Sequence, residues 1–114
     1  MAQQMPTPRP ASRIAVTVMD VGSGLAPCPF FGKCDGIVVL DSNTGAREFH
    51  GNPSRTPKTL CDVILASGAD GLVCGFVAEP EILRLRAAGI DVRVGSGRCS
   101  VDELATCFCD LPPA

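Results

Sequence analysis

The sequence predicts an α/β domain in which a mixed five-stranded sheet, built in the order β-β-β-α-β-α-β-α, is covered by helices. Three observations carry the prediction. Short apolar runs rich in β-branched residues stand at 14–19, 36–41, 71–75 and 91–94, with the length and composition of buried strands. From residue 56 onward such runs alternate with segments whose apolar residues recur at helical spacing and which carry start or stop signals. Before residue 56 the strands are joined by loops and turns alone, so they are expected to meander antiparallel, whereas strands separated by helices run parallel through right-handed crossovers.

Residues 1–12 hold three prolines and almost no apolar periodicity. They are expected to form a disordered tail ahead of one domain over 13–110, with 111–114 as a short C-terminal tail. Ile14, Val16 and Val18 alternate with Ala15, Thr17 and Met19, apolar on both faces save for the threonine, as in a central strand. A long loop over 20–34 leads to the strand 36–41. Ser42-Asn43-Thr44-Gly45 makes a turn, and 46–50 returns as the third strand.

Thr56 caps the first helix, and Pro57 takes its first position, where the missing donor would have been orphaned anyway. Leu60, Val63 and Ile64 share the buried face, and Gly68 ends the helix. After the strand 71–75 a second helix starts near Pro80, buries Ile82 and Leu85, and stops at Gly89. The strand 91–94 follows. Ser100 and Glu103 then form a capping box for the last helix, whose Val101, Leu104, Ala105 and Phe108 fall at i, i+3, i+4 and i+7.

Composition narrows the function. Ten basic against twelve acidic side chains give a net charge of −2 with no block of like charge, so nothing attracts a phosphate backbone and no nucleic-acid partner is expected. The first residues lack the apolar core of a secretory signal, and no stretch approaches the roughly 20 apolar residues of a membrane span, so a cytoplasmic protein without membrane contact is expected. In that compartment seven cysteines are expected to be thiols, and their odd number argues against a closed disulfide framework. Any one of them serves as readily as a small buried hydrophobe.

The case for function rests on where several cysteines converge. In sheets of this kind ligands bind beyond the carboxyl ends of the parallel strands. Four segments are expected there: the loop 20–34, the end of the third strand at His50, the end of the fourth at Cys74-Gly75-Phe76, and the loop from Gly95 to Cys99. Cys28, Cys34, Cys74, Cys99 and His50, the only histidine, all lie within them, whereas Cys61 lies inside a helix. Thiolate and imidazole suit iron, zinc, copper or iron-sulfur species rather than hard magnesium. The spacing Cys28-x5-Cys34 is looser than a zinc knuckle, and Cys107 and Cys109 flank the apolar stripe of the last helix on opposite sides, which favours packing or a frayed end over chelation. The run Gly95-Ser96-Gly97-Arg98 leads into a helix N-terminus and offers backbone donors and a cation to an anion, or simply turns the chain. It matches neither a Walker loop nor a dinucleotide fingerprint.

Arg-Ile-Ala-Val-Thr at 13–17, Pro29 with Phe31-Gly32-Lys33-Cys34, Asn52-Pro53, Gly-Ala-Asp-Gly-Leu-Val at 68–73, Ala-Ala-Gly-Ile at 87–90 and the glycine loop from Gly95 together resemble the dinitrogenase iron-molybdenum cofactor biosynthesis proteins of NifX/NifY type, over residues 13–108. The resemblance implies a ribonuclease-H-like fold and a non-catalytic role in binding or carrying iron-sulfur or iron-molybdenum cofactor precursors, with a cofactor donor or acceptor protein as partner. A nitrogen-fixation context is likewise implied only by the resemblance. Cofactor contacts are expected from Cys28, Phe31, Gly32, Lys33, Cys34, Gly75, Gly95, Gly97 and Arg98. Metal ligands are expected among Cys28, Cys34, Cys74, Cys99 and His50.

Two departures from the family pattern bear on this. Where relatives carry His-Phe-Gly in the long loop, this chain has Phe30 in place of the histidine; and Glu79 stands before Pro80 where a glycine is common, bringing a carboxylate that repels an anionic cluster. The rival expectation is a metal-free interaction or regulatory module that keeps the fold after losing its ligand. A ribonuclease-type enzyme needs clustered carboxylates, yet Asp41 and Asp70 are expected at the edge of the sheet opposite Asp20. A thiol redox protein lacks a Cys-x-x-Cys.

Overall fold

The computed structural model describes residues 12–95 and 98–114. It is a mixed α/β fold, in which six strands and three helices are described: β1 (Arg13–Asp20), β2 (Leu25–Pro27), β3 (Gly36–Asp41), β4 (Arg47–Gly51), α1 (Pro57–Ala66), β5 (Gly71–Cys74), α2 (Glu79–Ala87), β6 (Asp91–Val94) and α3 (Val101–Thr106). The sheet order is β4-β3-β1-β5-β6. β1, β3 and β4 form the antiparallel meander, whereas β1, β5 and β6 run parallel, with Ala15 opposite Leu72 and Leu72 opposite Val92.

The five-stranded sheet expected from sequence is corrected to six. β1 outruns β5, which pairs with it only at Ile14–Val16, so the backbone of Val18–Asp20 is left with an open edge. Leu25–Pro27 closes that edge antiparallel, inside what reads in sequence as loop. Burying unpaired amides at the centre of a sheet is costly, and this supplies the reason for a strand of three residues with no alternation of its own.

Alternation along the strands assigns each face its helices. Ala15, Ile37, Val39, Leu72, Cys74 and Val92 pack under Leu60, Cys61 and Ile64 of α1 and Leu85 of α2. Ile14, Val16, Val18, Val38 and Val73 pack on the other face under Val101 and Leu104 of α3 and Phe108, which follows it. The caps form as their residues require: Thr56 Oγ1 accepts from the Thr59 amide, and Ser100 and Glu103 complete a reciprocal capping box. Val63 and Ile82 are only half-buried. After α3 the chain runs back along β6, where Pro112 accepts from the Val94 amide and the Ala114 amide donates to Val92.

Candidate ligand cavity at the carboxyl ends of the parallel strands

The loop after β2 is tied to two strands at once. The Cys28 amide donates to Thr17 of β1 at 2.9 Å, while Phe31 N donates to the Phe76 carbonyl at 2.9 Å and Phe76 N donates to the Pro29 carbonyl at 2.8 Å. Gly75 makes this approach possible, because a Cβ there would lie 2.8 Å from Pro29 Cα and closer still to its carbonyl. The loop therefore does not lie over the strand ends as a cover. It stands beside them as a wall.

Between that wall and the ends of β1, β5 and β6 lies an open cavity of about 400 Å³. Thr17, Cys28, Pro29, Cys74 and Gly75 line one part of it, Val16, Val73, Gly95 and Leu104 another, and Phe76, Val77, Ile82, Val94 and Ala114 complete the lining with Pro27. Among the described residues no charged side chain contributes. Gly95 keeps the space open: a Cβ there would stand 2.5 Å from Val73 Cγ1 and 2.7 Å from Leu104 Cδ2. At the rim, Phe76 is 78% exposed and stacks on Phe30, 54% exposed, with centroids 6.1 Å apart. Two aromatic rings left this open to water are unusual outside binding surfaces.

Sulfur supplies the chemical character of the cavity. Cys28 and Cys74 are buried in its wall, and Cys34 lies behind them. Cys28 Sγ and Cys34 Sγ both donate to the carbonyl oxygen of Phe30, at 3.2 and 3.0 Å, and Cys74 Sγ donates to the Arg93 carbonyl at 3.7 Å. Burial pushes the Cys74 thiol up to about 12, and burial, reinforced by the neighbouring Cys28, pushes Cys34 well above the ordinary thiol range. Both are neutral at physiological pH, so a metal displaces protons to bind them.

The structure brings Cys28, Cys74, Gly75 and Gly95 together around the cavity with Cys34 behind Cys28, and the other described residues singled out in sequence do not line it. Phe31 is buried in the core and does not line the cavity. Gly32 turns against Pro57, within 2.8 Å of a Cβ placed there, and Lys33 is exposed, its carbonyl taken by Arg55. His50 sits on β4, three strands from β5, about 14 Å away at normal strand spacing, and its Nε2 is 3.6 Å from Glu48 Oε1. Cys99 packs with the α3 face of the sheet, whereas Cys28, Cys34 and Cys74 belong to the opposite face. Arg98 is exposed before α3, and Gly97 lies outside the described residues. Cys107 and Cys109 are exposed rather than packed. Among the described residues no group of three or more histidine, cysteine or acidic side chains is positioned to hold a metal ion. Thr17, Ile82, Val94, Leu104 and Ala114 carry no chemical signature in sequence, and only the tertiary fold reveals that they face one space.

The carboxylates segregate as expected. Asp41 pairs with Arg13 at 3.2 Å and Asp70 accepts from the Arg13 amide at 2.9 Å, both at the amino end of β1, away from Asp20.

The fold and cavity thus define a small α/β domain with an open cavity past the carboxyl ends of a parallel strand trio. The sequence model for Nitro_FeMo-Co, the dinitrogenase iron-molybdenum cofactor family, matches residues 12–111, and the chain belongs to that family. The apo form of the orange protein from Desulfovibrio gigas is similar in sequence and structure, at 31% identity and a TM-score of 0.78, with 90% of this chain and 92% of that one covered. A Thermotoga protein solved by NMR and described as a NifB-type member of the DUF35 family shares the fold at 20% identity and a TM-score of 0.68, over 90% of this chain and 92% of its own. No curated protein sequence matches the chain. No described helix is long and apolar enough to cross a membrane.

Proposed function

We propose that this protein is a small non-catalytic carrier of an iron-sulfur or iron-molybdenum cofactor, or of a precursor, passed between a donor and an acceptor protein. The observation that supports it most is the open cavity whose wall holds two soft thiols, Cys28 and Cys74, in a chain of the iron-molybdenum cofactor family. The donor chemistry fits a metal-sulfur cargo: thiols bind soft and borderline metals, and apolar walls exclude water and hydroxide that would degrade it. In this assignment Cys28 and Cys74 meet the cargo, Cys34 supports Cys28 from behind, Gly75 and Gly95 keep the space clear, and Phe30 and Phe76 form the exposed rim.

The test is reconstitution without oxygen, using ferrous iron and sulfide, of the parent protein and of Cys28→Ser/Cys74→Ser, followed by elemental analysis and absorption spectroscopy. Stoichiometric iron and sulfide with a visible charge-transfer band in the parent, lost in the variant, is the expected result. Equal uptake by both contradicts the assignment of the thiols. A second reading, a metal-free interaction module, draws on the lack of a preassembled three-ligand group among the described residues. It expects no metal in either protein.

A further inference from the structure

We propose that Cys28 and Cys34 form a reversible disulfide that withdraws Cys28 from the cavity wall, making this pair an oxidative modification site that regulates the carrier function proposed above. Two independent features of the geometry point to it. Both sulfurs converge on one oxygen, the Phe30 carbonyl, at 3.2 and 3.0 Å, so they cannot be farther apart than the sum of those distances. The two also differ in access: Cys28 lines the cavity, whereas Cys34 is fully buried and does not. That is the arrangement of an attacked thiol reachable through an opening and a resolving thiol held behind it.

The segment between them is built for a small closing movement. Residues 31–33 form a single 3-10 turn, bounded by extended backbone at Phe30 and Cys34. The turn is anchored by the Phe31 amide on one side and by the Asp35 amide, which donates to Val18 at 2.9 Å, on the other. A disulfide brings sulfurs to about 2 Å, which here breaks both S–H bonds to the Phe30 carbonyl. Cys74, the other thiol of the cavity wall, donates to the Arg93 carbonyl on the β6 side instead, and Thr17 lies against the Cys28 carbonyl. Cys34 is thus the matched partner.

The oxidant is a low-molecular-weight disulfide. Cys28, as thiolate, attacks it, forming a mixed disulfide and expelling one small thiolate; Cys34, as thiolate, then attacks Cys28 Sγ, forming the protein S–S bond and expelling the second. The protein loses two electrons and two protons, and the reagent leaves as two thiols. Burial keeps the Cys34 thiol protonated most of the time, so the resolving step is slow, and reversal needs an excess of small thiol.

The full chain, with exposed Cys107 and Cys109 changed to Ser to remove competing sites, is incubated with bis(2-hydroxyethyl) disulfide, alkylated in denaturant with N-ethylmaleimide and digested with trypsin. Cleavage after Lys33 separates the two cysteines into peptides 14–33 and 34–47. The expected result is these two peptides joined, with a mass two hydrogens below their sum, and a loss of joined peptide on reduction. In Cys34→Ser, Cys28 stops at the mixed disulfide. Both peptides recovered alkylated and unlinked, or Cys28 joined to Cys74, overturns the cross-link. The regulatory clause rests on the carrier reading and is read separately: oxidised protein is expected to lose iron uptake and regain it on reduction, and uptake unchanged by the cross-link overturns that clause. Reduced protein that takes up no iron contradicts the carrier reading itself, and the peptide result still decides the disulfide.

Discussion

The two ends of the sheet are built from opposite materials. At the amino end of β1, Arg13 binds Asp41 at 3.2 Å and Glu48 at 3.0 Å and its amide meets Asp70 at 2.9 Å, so charges from β3, β4 and the turn before β5 are fastened together. At the carboxyl end no charged side chain among the described residues lines the cavity; thiols, glycines and exposed aromatics meet around open space. The charged end is satisfied within the chain, and its exposed ion pairs gain little for being many. The apolar end is left incomplete. An open space walled by buried sulfur is a poor way to stabilise a domain, and the proposed carrier function draws on that end.

Substitutions at the apolar end have the largest expected effect. Gly75→Ala forces Cβ into the Pro29 backbone, which cannot swing aside as a side chain would, and is expected to lower unfolding free energy by about 3 kcal/mol in urea titrations while loosening the loop from β5. Gly95→Ala meets only the side chains of Val73 and Leu104, which can give; about 1 to 2 kcal/mol is expected, together with a smaller cavity. An effect of Gly75→Ala no greater than that of Gly45→Ala, in an open turn, would erase the contrast.

Alkaline pH sharpens the comparison in a second way. The folded Cys74 thiol is held near 12 against an ordinary value of 9.0, so above pH 9 the unfolded chain loses a proton that the native one keeps. The Cys74 contribution is full below pH 9 and is expected to fall by about 1 kcal/mol by pH 10, continuing downward until the pH passes the folded value; Cys34, raised by the same burial, adds a loss of the same sign, so Cys74 accounts for only part of the slope. Melting temperatures from pH 8 to 11 check this, and Cys74→Ala should make the slope shallower while leaving the Cys34 part. The same protonated thiols make metal uptake rise with pH, by up to about tenfold per unit for each proton displaced.

At the charged end, Asp41→Asn is expected to cost less than about 1 kcal/mol and to lose most of that effect in 1 M salt. Phe76→Ala stands last among these changes, within about 0.5 kcal/mol, because the ring is exposed on the folded surface already.

The element order was legible because each part had a local cause: apolar runs of strand length, Thr56 with Pro57, and the capping box of Ser100 and Glu103. β2 was not, since Leu25-Ala26-Pro27 becomes a strand only because β1 extends past β5. For the site, chain position relative to strand ends correctly pointed to Cys28, Cys74, Gly75 and Gly95 as neighbours of one space. The structure places His50 and Cys99 away from the lining of that space, for two different reasons. Lateral sheet order, which puts β4 at the far edge, depends on pairing that no local pattern encodes. And a loop leaving a strand end turns to either face: the chain after β6 goes to the α3 side, carrying Cys99 away from the other thiols. The apolar lining was invisible for a simpler reason, since Val16, Leu104 and Ala114 resemble any other core residues until they face a void.

The most direct test of the central claim is the location of bound iron. Backbone amide resonances of the nitrogen-15-labelled protein are recorded without oxygen before and after loading with ferrous iron and sulfide. Paramagnetic broadening is expected at Thr17, Cys28, Cys74, Gly75, Phe76 and Gly95, with sharp signals retained at Arg13, Asp41, Glu48 and Asp70. Broadening centred on the charged end, or on exposed Cys107 and Cys109 with the cavity amides unchanged, would contradict the account.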